Sequence, residues 1–218
     1  MVVERQLFVW VELARVLVVN RPSAIASNES KPGQAELIRG RGFQIPATLV
    51  TTTPDAARAF IAEHRRVIYK SVSGQRSVVS RVTASELESL DDVATCATQF
   101  QAHVPGTDWR VHVVGDDVHA CEIRCAADDY RMAHLQGEPI EFEAAEPPAS
   151  VVASCHALTR HLGLSLAGID LRRTSDDVWY CFEVNTAPAF TYFEQMTGQP
   201  LTAAVAQLLA DARRSDDA

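Results

Sequence analysis

The sequence predicts an α+β chain with antiparallel sheets. Two closely spaced pairs of strand-like segments carry that expectation: Trp109–Val114 with Val118–Cys125 around Gly115-Asp-Asp, and Leu166–Arg173 with Val178–Val184 around Thr174–Asp177. Short capped helices lie between the strands without the strict alternation of a doubly wound sheet. At 218 residues, 47 % of them apolar and 22 % charged, the composition is that of a globular chain long enough for a real core.

Residues 1–29 hold an apolar run from Val9 to Val19 and then a polar turn region, Asn20 to Glu29. Ser30 caps a short helix with Pro32 in its first turn, running toward Arg39 and stopped by Gly40 and Gly42. Pro46 to Thr51 reads as a strand. Thr53 and Pro54 then open a helix with apolar Ala56, Ala59, Phe60 and Ile61 along it. Arg66 to Val72 is a β-branched strand, and the polar stretch Ser73–Ser77 turns the chain into a strand over Val78–Val82. Phe100 to His103 forms the next strand, ahead of the first hairpin. Residues 126–150 are polar and expected to be irregular. Val151, Val152, Cys155, Leu158 and Leu162 recur at helical spacing, and Gly163 ends that helix before the second hairpin. A helix from near Pro200 to Arg213 and an acidic tail close the chain.

Twenty basic residues against 28 acidic ones give a net charge of −8, which argues against a broad footprint on nucleic acid. No segment approaches the ~18 consecutive apolar residues of a membrane span. Glu4 and Arg5 precede the first apolar run, and no small-residue cleavage pattern follows it, so the start makes a poor signal peptide. Five scattered cysteines fit neither a disulfide framework nor paired zinc ligands, and point to a reducing cytoplasm. His112 and His119 flank a hairpin turn with no third ligand at sensible spacing, so they read as packed or solvated. Ser154-Cys155-His156 lies in an amphipathic helix and lacks a glycine elbow, so no side-chain nucleophile is indicated.

The second hairpin holds the most chemistry. With an even-numbered loop, Arg173 faces Val178, and 172 pairs with 179, 170 with 181 and 168 with 183. Asp170, Glu183 and Asn185 then share one face. An odd loop would put Asp170 on the opposite face. Two carboxylates and a carboxamide make an all-oxygen set suited to Mg²⁺, which binds through few carboxylates plus phosphates. The ordinary alternative is the wet side of a sheet.

The pair Ala-Gly-Ile-Asp170 and Phe-Glu183-Val-Asn185-Thr-Ala-Pro188 resembles the metal-binding end of ATP-grasp ligases. The branch most similar contains ribosomal-protein glutamate ligases and peptide-cyclising graspetide enzymes, and the resemblance spans roughly residues 20–210. It implies ATP and Mg²⁺ as cofactors, with Asp170, Glu183 and Asn185 as metal ligands. It implies Lys70 on the nucleotide phosphates and a hinge at Phe100–Val104, with Gln101, Ala102 and His103 at the adenine. Asp108 would take the ribose. Arg110, Arg124 and Arg131 resemble basic positions of the phosphate and acyl-phosphate region: Arg110 and Arg124 as catalytic groups, Arg131 on the nucleotide. Ala102 stands where many relatives carry Glu, and the loop Ser73–Ser77 has one glycine, with Arg76 as a substitute charge.

The implied fold is ATP-grasp, two α+β subdomains with antiparallel sheets, the preceding domain of such ligases being largely absent. The expected division is 1–29 as a remnant or interface, 30–104 as the small subdomain, 105–213 as the metal-binding subdomain and 214–218 as a tail. The implied activity is ATP-dependent ligation of a small-molecule or peptide carboxylate to an amine or hydroxyl through an acyl-phosphate. The alternative is a nucleotide-binding accessory module that does not turn over. Thr186–Gln195 is expected to border the substrate pocket. The apolar run Val9–Val19 is expected to contact a second copy or a partner protein.

Overall fold

The computed structural model describes residues 2–72, 79–125, 130, 133 and 137–216. Two antiparallel sheets organise the chain, as expected. The smaller comprises β1 (Thr48–Thr51), β2 (Val67–Ser71), β3 (Ser80–Arg81) and β4 (Thr98–Ala102) in the order β1-β4-β2-β3. The larger comprises β5 (Thr107–Val114), β6 (Asp117–Cys125), β7 (Ile140–Ala144), β8 (Leu166–Arg173) and β9 (Trp179–Asn185) in the order β7-β6-β5-β8-β9. β7 lies within the stretch expected to be irregular; its Ile140 and Phe142 alternate onto the apolar face with Ile123 and Cys121.

Helix α1 (Val2–Leu13) precedes α2 (Pro22–Ile25), α3 (Lys31–Ile38), α4 (Pro54–Glu63) and α5 (Ala84–Glu88). After the strands of the first hairpin come α6 (Ala149–His161), α7 (Phe190–Thr197) and α8 (Leu201–Asp216). Ser30 caps α3 by accepting from the Gly33 amide, and Pro32 sits in its first turn. No helix among the described residues is long and apolar enough to cross a membrane.

Each face of the larger sheet has its own cover. One face, with Trp109, Val111, Val113, Ala167, Ile169, Leu171 and Cys181, packs on Cys155 and Leu158 of α6 and on Ile38, Phe43 and Ile45. Gln34 of α3 clamps the Val184 backbone, donating to its carbonyl (2.8 Å) and accepting from its amide (2.9 Å). Residues 31–45 therefore pack on the larger sheet. On the opposite face, Val114, Cys121, Ile123 and Leu166 pack against Phe193 and Leu201 of α7 and α8. That cover is partial, and the rest of this face is polar. Behind the small sheet, Val67 and Phe100 pack on Ala57 of α4 and on Leu90 and Val93.

The N-terminal segment is anchored by polar groups. Buried Asn20 donates to the carbonyls of Leu166 and Thr186 (both 2.7 Å) and accepts from the amides of Ser165 (2.8 Å) and Leu166 (3.2 Å). Arg21 donates to the carbonyls of Val11, Glu12, Ala14 and Val16 at the end of α1. The helix so held leaves Val3, Leu7, Val9, Trp10 and Leu13 exposed.

The β8–β9 register differs from the expected one. Arg173 pairs with Trp179, Arg172 with Tyr180 and Leu171 with Cys181; Asp170 then pairs with Glu183, Ile169 with Val184 and Gly168 with Asn185. The turn explains the first shift. Thr174 and Val178 close a three-residue loop, with Asp177 at φ +61° and its amide donating to the Thr174 carbonyl. That odd loop alone would have set Asp170 opposite Phe182 and sent Glu183 to the other face. A β-bulge at Phe182 inserts one residue and restores the phase.

Candidate active site

The polar part of the larger sheet reads as rungs across its strands. Ile123, Asp108, Arg172 and Tyr180 form one rung, Cys121, Arg110, Asp170 and Glu183 the next, and His119, His112, Gly168 and Asn185 a third. Directly opposite residues share a face, and so do residues two apart on one strand. Asp170, Glu183 and Asn185 are therefore together, with the two carboxylates facing each other across one strand pair. The Asn185 Oδ1 accepts from the Ala187 amide (2.9 Å), which fixes the carboxamide.

Arg110 supplies the counter-charge. Its Nη1 lies 2.7 Å from Asp170 Oδ1, and the residue is only 3 % exposed. Burial opposes its charge, but Asp170, Tyr130 and Glu183 outweigh that effect and raise its pKa. The space for its guanidinium exists because residue 168 has no side chain: a Cβ there would meet the Arg110 Cζ at 2.6 Å and Pro188 Cβ at 2.8 Å. Beside it, burial first and then the Arg110 charge press the His112 pKa down to about 3, so its ring is neutral and accepts from Arg110 Nε (3.5 Å).

Across a cleft stands the inner face of the small sheet. Ile68 and Lys70 of β2 and Gln101 of β4 line the same cavity as Asp108, Asp170, Arg172, Phe182 and Glu183, with Ala102, His103 and Val104 at its hinge end. Gln101 is buried and donates to the Thr48 hydroxyl (3.2 Å). The amides of Ala102 and His103 are taken by the carbonyls of Ala47 and Arg66 (both 2.9 Å). No hydrogen bond from the Val104 amide occurs among the described residues.

The structure thus gathers Lys70, Gln101, Ala102, His103, Asp108, Asp170 and Glu183 around one cleft, with Arg110 and Asn185 beside the two carboxylates on the same sheet face. Arg124 does not line that cavity; it lines an adjoining one with His103, Asp108 and Arg172. Arg124 pairs with Glu141 in the ladder, on the face opposite Ile123, and its guanidinium is held by Glu122 (2.8 Å) and Glu143 (2.9 Å). Strand alternation points its side chain to the face opposite Asp170. Arg131 and the loop 73–77 lie outside the described residues.

Among the cavity residues that sequence reasoning missed are Arg172, Phe182 and Tyr130. Arg172 is buried two positions from Asp170, so period-2 alternation could have placed it on this face. Phe182 reaches the cavity through the bulge, which left no signal in the sequence. The Tyr130 hydroxyl lies 3.5 Å from Asp170 Oδ1, from a stretch with no periodic pattern.

The donor set fits a hard divalent cation: two carboxylates and an amide oxygen on rigid adjacent strands, with the cationic Lys70 across the cleft. Among the described residues, no group of three or more His, Cys, Asp or Glu is placed to hold a metal ion, so the set here rests on two carboxylates and a carboxamide. Burial pushes the Cys121 thiol up to about 11 and Cys155 up to about 12, so neither is a nucleophile at neutral pH.

Residues 28–209 match the RimK-like ATP-grasp domain. A probable alpha-L-glutamate ligase of Xanthomonas euvesicatoria pv. vesicatoria is 28 % identical over 207 residues, covering 89 % of this chain and 69 % of the relative. A ribosomal protein bS6–L-glutamate ligase of Salmonella paratyphi B is 28 % identical over 198 residues, covering 86 % and 65 %. The structure of a Chryseobacterium gregarium RiPP-associated ATP-grasp ligase, in complex with ADP and a leader and core peptide, aligns at a TM-score of 0.82. That protein is 28 % identical, with 96 % of this chain and 67 % of the other covered. The chain spans about two thirds of the length of these relatives. The match over most of its residues, together with the paired sheets and the cleft between them, shows that the chain belongs to the RimK-like ATP-grasp family.

Proposed function

We propose that the chain is an ATP-dependent ligase joining a carboxylate to an amine or hydroxyl. The observation that carries this reading is the Asp170–Glu183 pair, with Asn185 beside it, facing Lys70 across a cleft closed by the hinge. In this reading the Val104 amide and the adjoining hinge carbonyls take the base, Asp108 the sugar and Lys70 the phosphates. Mg²⁺, held by Asp170, Glu183 and Asn185, would supply charge neutralisation between the β- and γ-phosphates. The substrate carboxylate attacks the γ-phosphorus in line, the bond to the β-phosphate oxygen breaks and ADP leaves. The amine or hydroxyl then adds to the acyl carbon, phosphate departs and the nucleophile loses a proton. The chain's residues act by positioning and electrostatics, with Arg110 holding Asp170 in place.

The named relatives make a peptide or amino-acid carboxylate the substrate class we favour. Five cysteines outside any disulfide agree with a reducing compartment such as the cytoplasm. The exposed apolar face of α1 is our candidate contact for a second copy or a partner protein, and light scattering at high concentration tests it: a monodisperse monomer that captures no partner refutes it.

The functional test is Mg²⁺-dependent ADP release with glutamate and with glutamate-containing peptides as acceptors. Lys70→Ala should weaken ATP binding while leaving the melting temperature nearly unchanged. Unaltered ATP affinity in that variant would overturn the assignment of Lys70. ATP binding without ADP release under any acceptor would favour a nucleotide-binding module that needs a partner for turnover.

A further inference from the structure

Arg172 has more partners in the cleft than an ordinary strand residue. Its Nε donates to Asp108 Oδ1 (2.7 Å) and its Nη2 to Asp108 Oδ2 (2.8 Å), a two-pronged pair between directly opposed residues of β5 and β8. Its Nη1 donates to the Val104 carbonyl at the hinge (2.9 Å). The guanidinium carbon lies 5.2 Å from the centroid of the Phe182 ring, the residue that the bulge turns into the cavity. Arg172 is only 8 % exposed.

A buried ion pair of this kind is a poor device for stability alone, because desolvating both charges offsets most of their attraction and an apolar pair would serve as well. Its value here is geometric. One guanidinium fastens the carboxylate of Asp108 and the backbone of Val104, which are four residues apart on either side of the Gly106 turn. The Val104 amide is the hinge donor proposed for the base, and Asp108 is the acid beside it. Resting on the functional reading above, we propose that Arg172 is a positioning residue for the nucleotide sugar: it aims the Asp108 carboxylate at the ribose hydroxyls and sets its distance from the hinge. Each carboxylate oxygen has two lone pairs, so the arginine fork orients the group without exhausting its acceptor capacity. Lysine, a single point of charge, cannot hold both oxygens and the Val104 carbonyl in the same way.

The test compares ATP with 2′,3′-dideoxy-ATP by titration calorimetry in Mg²⁺ for the unmodified chain, Arg172→Leu, Arg172→Lys and Asp108→Asn. Hydrogen bonds to a charged acceptor predict that the unmodified chain prefers ATP by about tenfold or more. Arg172→Leu should reduce that preference to within about twofold, as should Asp108→Asn, and Arg172→Lys should retain only part of it. A purely structural role would lower both affinities together and leave their ratio intact, which would overturn the proposal. So would an unmodified chain that does not distinguish the two nucleotides. Should Arg172→Leu fail to fold, the lysine variant decides: an unchanged ratio there refutes the role. Failure of the unmodified chain to bind either nucleotide would instead overturn the functional reading on which the proposal stands.

Discussion

A single added methyl group tests how the acidic face is held. Gly168 has a backbone that alanine can adopt, so Gly168→Ala on its own would reduce unfolded-chain entropy and stabilise by about 0.4–1 kcal/mol. Contact decides otherwise. The new Cβ would lie 2.6 Å from the Arg110 Cζ and 2.8 Å from Pro188 Cβ, and closer still to Arg110 Nη2. Pro188 is stiff, so the guanidinium must move away from Asp170. Overpacking costs about 1–3 kcal/mol, and parting a buried ion pair costs up to about 3–5 kcal/mol. Partial relaxation of the arginine makes about 3 kcal/mol the expected net loss, a fall of roughly 6–12 °C in melting temperature for a chain of this size. Urea denaturation of Gly168→Ala, Arg110→Ala and the double variant separates the causes. With Arg110 truncated only Pro188 remains in the way, so the methyl should cost less than about 1 kcal/mol. Additive effects of the two substitutions, or a loss below about 1 kcal/mol in Gly168→Ala alone, would refute the packing of Arg110 over Gly168.

Asn20→Ala removes four hydrogen bonds at a buried site and should cost about 3–4 kcal/mol in denaturant melts; a loss under about 1 kcal/mol would show that the N-terminal segment is not anchored there. Glu183→Gln should leave metal-free stability unchanged or slightly raised, because Asp170 keeps Arg110 while a like charge opposite it is removed, yet it should abolish Mg²⁺-dependent turnover. Full turnover in that variant would contradict the metal assignment. His112, held neutral with a pKa of about 3, contributes its full stability above the unfolded-state value near 6.5. Between those two values the unfolded chain binds a proton that the folded chain refuses, so stability falls as pH drops, by on the order of 5 kcal/mol across the window. His112→Gln should flatten that slope in pH-dependent melts, and an unchanged slope would show that other groups set it.

Local chemistry determined a good deal of this protein from the sequence alone. Caps and turns depend on neighbouring residues, so the Ser30 cap, the helix opened by Pro54, the end of α6 at Gly163 and both hairpins were legible. The types and spacing of Asp170, Glu183 and Asn185 single them out in the sequence, and the structure sets them on one face. Their shared face was expected for the wrong reason: an even loop was assumed, whereas a three-residue loop and a bulge at Phe182 cancel in phase. A bulge leaves no mark in a run such as Trp-Tyr-Cys-Phe-Glu, since its position depends on which residues meet across the strands. Partner choice was equally hidden. Arg110, Arg124 and Arg172 are alike in sequence, but strand alternation and long-range contact assign one to Asp170, one to Glu122 and Glu143 on the far face, and one to Asp108 and the hinge. The small residue at 168 acquires its meaning from Arg110, 58 positions earlier in the chain. Composition and periodicity report what each residue prefers, whereas the pairing of charges over such separations is decided when the sheets assemble.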